Sequence, residues 1–399
     1  MQSFSKYRTY AEALAIAQDA VGMLGENCAT RSGKSRSVNT SDVQYIVSSF
    51  STRSAGVPDT LMYIFNYEDN AGFAVVSANR ATEGLIAVTE QGNYSVGKET
   101  ENGGFGLYMT MAEAYVGSRA QPASVGPVEF TQYKIVEHRD TISYGPYLQV
   151  RWGQDWPYNI SCPTMSGTPT KAGCVAVALA QIMTYYKHPD SFTVTHTPML
   201  YEQTLYWDYI LEHRYTETGN TSNCDQCTTT GGHYLIASLI RQLGEYLQMV
   251  YGVKVSGCDS EFAKGALQTF GYTSGNYQRY SSNLVNSSIF NGKLVYMRGG
   301  ISGDDGHAWV VDGYRKITIT VQEYIKPNSS PVWIEQSCTV TSDTYNHINW
   351  GWDGDSNGYF LSNVFNTAAP SQLDPNMSIV ESRYNFTIDL KIIPNISKN

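Results

Sequence analysis

Basic charge is scarce in this 399-residue chain: 27 Lys plus Arg stand against 36 Asp plus Glu, a formal net charge of -9. With no Lys/Arg-rich run anywhere, a surface that tracks nucleic-acid phosphates is excluded, because such binders need a local surplus of cations. Long apolar runs are missing as well. The nearest approach to the roughly 18 consecutive apolar residues of a membrane-spanning helix is Ala172 to Met183, interrupted by Gln181, so no membrane span is expected. The first residues, Met1-Gln2-Ser3-Phe4-Ser5-Lys6, lack the charged and then apolar segments of a signal peptide, so export would need a leader that this sequence does not contain. Metal-ligand sets are poor. Cys224-Asp225-Gln226-Cys227 has a short zinc-like spacing, but a structural zinc takes four ligands and only His213 and His233 lie nearby, so a local disulfide or plain thiols is the better reading.

What is present is 42% hydrophobic, 16% charged and 13% aromatic residues, with 30 Tyr. That is the composition of a folded globular protein with a polar, β-rich surface of the kind exported bacterial proteins carry. The length suggests two domains or one large one with an appendage. Seven cysteines, at 28, 162, 174, 224, 227, 258 and 338, make an odd count, so at least one thiol is left unpaired.

Along the chain, Leu14, Ala17, Val21 and Leu24 share one helical face ahead of Gly25, predicting a helix over Tyr10 to Leu24. Val43 to Phe50, Leu61 to Tyr67, Gly72 to Ala78 and Leu85 to Thr89 read as antiparallel strands, with a hairpin at Asp69-Asn70-Ala71-Gly72. A helix follows over Leu107 to Val116. Ser118 to Tyr144, with Pro122, Pro127 and no clear period, reads as a linker, which puts a domain boundary near Ser143. Beyond it, Cys174 to Met183 is apolar on nearly every side and predicts a buried central helix. Helices over Tyr234 to Val250 and Ser260 to Thr269 come next. Short strand runs close the chain at Leu294 to Met297, Ala308 to Val311, Ile317 to Val321, Val332 to Glu335 and Tyr359 to Leu361. Helices first and antiparallel strands later make an α+β domain.

Cys174 follows Gly173 and opens the buried helix, where free backbone N–H groups and the helix dipole favour a thiolate. A thiolate used for acyl transfer needs a proton shuttle. His307, after Gly303-Asp304-Asp305-Gly306 and before the strand Ala308 to Val311, supplies one at a strand edge. The third segment, His347-Ile348-Asn349-Trp350-Gly351-Trp352, offers an amide to fix the imidazole and indoles to shield it. His347 is a rival base on the same face as Asn349, in a poorer context than His307. His138, His188, His196, His213 and His233 are read as structural or surface residues. Asp304 and Asp305, adjacent on a glycine-rich turn, point apart and take no catalytic role. The nucleophile and the shuttle are both side chains, so neither a metal nor an organic cofactor is called for.

Lys171-Ala172-Gly173-Cys174-Val175-Ala176-Val177-Ala178-Leu179-Ala180-Gln181-Ile182-Met183 and the run on to Pro189 resemble the nucleophile segment of the streptopain family of cysteine peptidases. Gly153-Gln154-Asp155-Trp156-Pro157-Tyr158-Asn159 resembles its oxyanion-glutamine segment, and Gly306 to Gly313 and Ile348 to Phe360 its histidine and Trp-Gly-Trp segments. Gly72 to Arg80 and Leu85 to Tyr94 resemble its propeptide, so the likeness spans both parts of the chain. The resemblance implies a secreted (extracellular, periplasmic or cell-surface) precursor of a monomeric endopeptidase that cleaves proteins and peptides, favouring a hydrophobic residue two positions before the scissile bond. It implies an inhibitory α+β prodomain at 1–142, ending in a linker, and a papain-like catalytic domain at 143–399. By the same resemblance Cys174 is the nucleophile, His307 the base and then the acid, and Gln154 the oxyanion donor beside the Cys174 N–H. Asn349 or Trp350 orients His307, and the choice stays open. The prodomain would hold the cleft closed or displace His307.

Two features depart from the family pattern. Arg315 to Thr344 looks like an insertion, an extra hairpin containing Cys338, and Asp353 stands where a glycine is expected. The rival readings are a Cys-His-Asn amidase or acyltransferase on the same scaffold, such as a cell-wall hydrolase, and a non-enzymatic surface protein.

Overall fold

The computed structural model describes residues 7–24, 36–47, 60–95, 102–118, 133–212, 231–301, 306–326, 332–366 and 388–399. Cys28, His213, Cys224, Cys227, Asp304 and Asp305 lie outside the described residues, and with them the readings made for those positions.

Thr9 starts the first helix, α1 (Tyr10–Ala20), with a capping box: its hydroxyl accepts from the Glu12 N–H while the Glu12 carboxylate accepts from the Thr9 N–H. Such a cap contributes about 1 kcal/mol. Ala13, Ala17 and Ala20 face inward, and a 3-10 turn over Val21–Leu24 completes the expected helix. It lies on an antiparallel sheet of β1 (Val38–Val47), β2 (Thr60–Tyr67), β3 (Phe73–Ser77) and β4 (Leu85–Thr89). The β2–β3 turn is where the residue types require it. Asp69 and Asn70 adopt φ of 58° and 55°, and at Gly72 (φ 101°) a side chain would meet the Thr89 carbonyl oxygen at 2.1 Å. Helix α2 (Gly103–Ser118) follows.

The stretch read as a linker corrects the sequence reading. Its second half forms β5 (Tyr133–Tyr144), exposed along nearly its whole length. With both faces in water, the strand carries none of the apolar alternation by which strands are recognised.

Farther on come α3 (Cys174–Tyr186), α4 (Trp207–Glu212), α5 (Gly231–Tyr246), α6 (Phe262–Thr269) and α7 (Ser282–Phe290). Two small ribbons pair β6 (Thr164–Met165) with β7 (Thr168–Pro169) and β8 (Ser191–Val194) with β9 (Tyr201–Thr204). The remaining strands are β10 (Tyr272–Thr273), β11 (Gln278–Arg279), β12 (Leu294–Ile301), β13 (His307–Ile325), β14 (Ile334–Asn349), β15 (Gly358–Leu361) and β16 (Ile388–Lys398). Ten residues of α3, from Val175 to Thr184, are buried, the core position its all-round apolarity predicts. Each fully buried Leu, Ile, Val or Met side chain contributes roughly 1.5–3 kcal/mol. The runs Ala308 to Val311 and Ile317 to Val321 belong to one long strand, β13, with a register shift between Val311 and Gly313. The expected extra hairpin is present as the outer halves of β13 and β14, where Cys338 stands opposite Gln322.

One twelve-stranded sheet runs through both parts in the order β1-β2-β3-β4-β15-β14-β13-β12-β16-β10, with β5 on β13 and β11 on β16. The junction is β4 against β15, pairing Thr89 with Gly358, Val88 with Tyr359 and Ala87 with Phe360. One core joins α1, α2 and β2–β4 to Trp309, Tyr345, Trp350 and Phe360, and a second surrounds α3. The class is α+β, as the element order predicts. Among the described residues no helix is long and apolar enough to cross a membrane, and no group of His, Cys, Asp and Glu could hold a metal ion.

Candidate active site

Gly173 precedes α3 with φ 92°, a conformation suited to glycine, and a side chain there would meet the Met249 Cε at 2.5 Å. No side chain caps the helix, so its first N–H groups stay available for a negative charge at Cys174. Across from them, β13 begins with His307, whose imidazole and the Cys174 thiol each shift the other's titration. Burial pushes the thiol up, but the His307 charge, its hydrogen bond and backbone bonds from Ala308 and Val175 outweigh burial and leave Cys174 below its ordinary value. Burial lowers His307, and the Cys174 charge, the same hydrogen bond and the Trp350 carbonyl outweigh it and hold the ring above its ordinary value. Both directions favour a thiolate–imidazolium pair.

His307 Nε2 lies 2.8 Å from the Trp350 main-chain oxygen, which leaves Nδ1 for the sulfur. Trp350 therefore meets the histidine through its backbone, while its indole, fully buried, packs tilted against Trp309 and edge-on against Phe360. Asn349 is engaged elsewhere: its Nδ2 donates to the Val150 carbonyl at 2.8 Å and its Oδ1 accepts from the Gly351 N–H at 3.1 Å. Trp352, which the sequence marks only as one of two indoles in Trp-Gly-Trp, places its Nε1 3.1 Å from His307 Nε2. The carbonyl accepts a hydrogen bond from a protonated Nε2, whereas the indole N–H can donate only to a bare Nε2, so Trp352 favours the ring without a proton there. In Trp352→Phe the alkaline limb of the activity–pH profile is expected to move up, by up to about one pH unit.

Gln154 is brought beside the nucleophile by its own backbone: its carbonyl accepts from the Ala172 N–H at 2.9 Å, two residues before Cys174. No described residue hydrogen-bonds its side-chain amide. Asp353, in the expected glycine position, adopts the left-handed φ of 54° that Asp tolerates better than most residues. Its carboxylate packs on Gly153, where a side chain would meet Asp353 Oδ2 at 2.4 Å.

His347 lies away from this pair. Its Nδ1 is 2.6 Å from Asp312 Oδ1 and its Nε2 3.3 Å from Glu90 Oε1, and Arg151 Nη2 is 3.0 Å from the other Glu90 oxygen. Burial lowers His347, but Asp312 and Glu90 more than compensate and lift it to about 10. Glu90, just after β4, thus ties the N-terminal part to the C-terminal part through buried charges. The start of α2 lies on the histidine itself: a side chain at Gly104 would meet His307 Cδ2 and Trp350 Cε3, each at 2.6 Å. His307 keeps its contacts with the Trp350 carbonyl and the Trp352 indole beneath this cover. No sequence signal marks Glu90 or Gly104, because their roles exist only across the junction. Cys162, Cys258 and Cys338 are unpaired thiols, as is Cys174.

A model of the peptidase C10 family matches residues 152–360, and a model of the Spi protease inhibitor matches residues 6–113. Among curated relatives, the thiol protease/hemagglutinin PrtT of Porphyromonas gingivalis is 24% identical over 348 residues, covering 79% of this chain and 35% of that protein's length. Streptopain of Streptococcus pyogenes is 22% identical over 347 residues, covering 77% of this chain and 75% of its own. Among solved structures, a fragment of Prevotella intermedia prointerpain A superposes with a TM-score of 0.51 at 20% identity, over 90% of this chain and all of the fragment.

Proposed function

Because the chain belongs to the peptidase C10 family, we propose that it is the exported precursor of a cysteine endopeptidase, inhibited by its own N-terminal part until that part is cut away. The observation that carries this reading is the Cys174–His307 pair, the thiol at the start of α3 and the ring at the start of β13, with the thiol lowered and the ring raised by one another. The inhibitor match over residues 6–113, together with the placement of Gly104 on His307, supports the inhibitory role of the N-terminal part. The division near residue 143 is part of the same proposal, refined below.

In this assignment the Cys174 thiolate attacks the scissile carbonyl carbon, whose π pair moves onto oxygen. As the C–N bond breaks, the His307 imidazolium gives its proton to the departing amine nitrogen, leaving a thioester and a neutral ring. The ring then takes a proton from water, the water oxygen adds to the thioester carbon, and sulfur leaves as thiolate beside a restored imidazolium. Trp350 holds the ring through its carbonyl in each of these states, and Asn349 braces the loop that presents that carbonyl. The Gln154 amide and the Cys174 N–H receive the oxyanion. Gln154→Ala is expected to lower kcat by about 10²–10³-fold, about 2.7–4 kcal/mol, with a smaller change in KM.

The test is covalent. After removal of the N-terminal part, an epoxysuccinyl inhibitor is expected to add once, at Cys174, and to stop casein digestion. Labelling elsewhere, or casein digestion that survives complete labelling, would overturn the assignment.

A further inference from the structure

Two stretches outside the segments that resemble streptopain, 133–144 and 315–344, fit one another. Strand β5 pairs with β13 through twelve consecutive residues, from Tyr133 opposite Ile325 to Tyr144 opposite Tyr314, without a bulge. On the other edge of the same stretch lies β14, so β13 is the centre of a three-stranded arm. Strand β12 pairs only with His307 to Val311, and β5 takes over that edge from Tyr314 onward. Arg315 Nε donates to Ser143 Oγ at 2.8 Å, and the Tyr144 ring packs against Phe290 at 4.9 Å between centroids.

The hydrogen-bonded path continues past the strand. Tyr147 N donates to the Asp312 carbonyl at 3.0 Å, Leu148 N to Asp312 Oδ2 at 2.9 Å, and Trp152 N to Gln181 Oε1 at 3.1 Å, two residues before Gln154. The arm meets the N-terminal part through the exposed ion pair of Arg139 with Asp19 and through Arg315 on the Met23 carbonyl.

We propose that the inserted hairpin is a docking edge for the chain's own segment 133–144, which stays with the peptidase domain when the inhibitory part leaves. Maturation then cuts N-terminal to Tyr133, and the working enzyme begins with β5. The inference rests on the precursor reading above. A peptidase takes its substrate as an extended strand with a free backbone, and the β5 backbone is already committed, so a cut inside it requires opening of the ladder. Keeping β5 also keeps the lead into Gln154 in place.

Full-length Cys174→Ala is digested lightly with a broad-specificity protease and, separately, with processed enzyme. The large products are read by mass spectrometry and by peptide-level hydrogen exchange. Both digests are expected to yield products beginning at or before Tyr133. Residues 133–144 are expected to exchange about tenfold or more slowly than in a variant whose hairpin is shortened to a turn joining Thr318 to Ser342. Products beginning within or after β5, or equally fast exchange in the unaltered and shortened chains, overturn the docking role. A chain trimmed as expected by the broad protease but left uncut by the processed enzyme supports the docking role and overturns the precursor reading.

Discussion

Cys174→Ala is expected to abolish peptide hydrolysis and to keep the chain at full length unless active enzyme is added, while His307→Ala lowers kcat/KM by about 10²–10⁴-fold. The two substitutions differ in what they leave behind. Without sulfur no thioester can form. Without the imidazole the thiol remains, but only the backbone bonds from Ala308 and Val175 are left to oppose the burial that pushes it up. In the unaltered enzyme the reactive pair exists between two titrations: below the first the thiolate takes up a proton, and above the second the imidazolium loses one. The pairing draws the first down from the ordinary thiol value of 9.0 and the second up from the ordinary imidazole value of 6.5, and activity is expected to follow a bell where the two cross. Alkylation by iodoacetamide across pH isolates the thiol. Its acid limb is expected to move to higher pH in His307→Ala. An unmoved limb would mean that the helix start alone activates the sulfur.

Gly358→Ala is expected to open the junction between the two parts of the precursor. Gly358 stands opposite Thr89, and a side chain there would meet the Val88 carbonyl oxygen at 2.1 Å and the Thr89 Cα at 2.7 Å. Those are backbone atoms, so the clash is relieved only by separating β4 from β15. Overpacking of this kind costs about 1–3 kcal/mol, or about 5- to 150-fold in the closed-to-open ratio. The readout is the rate at which processed enzyme cuts a Cys174→Ala, Gly358→Ala chain, compared with Cys174→Ala alone. Processed enzyme carrying the same change has no β4 in contact, so its activity should be nearly unaltered. Glu90→Gln is expected to act in the same direction, because it leaves Arg151 and a charged His347 facing a neutral amide. His347 is lifted to about 10, so the part of this effect that depends on its charge declines as pH rises toward that value and is gone above it.

The segments proposed to carry the chemistry were legible because each is contiguous and has its own local marker: Gly173 before a buried helix, Gly306 before a strand, and Gln154 in a Trp- and Gly-rich loop. The choice between Asn349 and Trp350 was not readable. What reaches the ring is a main-chain carbonyl, and every residue carries one. The arm was half visible. An insertion showed as a gap between His307 and Asn349, but its partner β5 is solvated on both faces and reads as a linker. Strand β13 was seen as two short runs because Gly313 and the register shift beside it interrupt the apolar pattern. The junction could not be read at all, since Glu90, Gly104 and Gly358 are defined by neighbours more than two hundred residues away in the chain.

Strand β15 now has a neighbour on each side, β14 and β4. If the N-terminal part is cut away as proposed, β15 becomes a border strand, and the aromatic pair Trp350 and Phe360 loses the cover of Phe105 and Tyr108. A border four residues long offers little template for a foreign strand, which limits fibre-like stacking. The rim thus uncovered is nevertheless apolar, so on the proposed maturation the colloidal behaviour of the enzyme would change together with its activity.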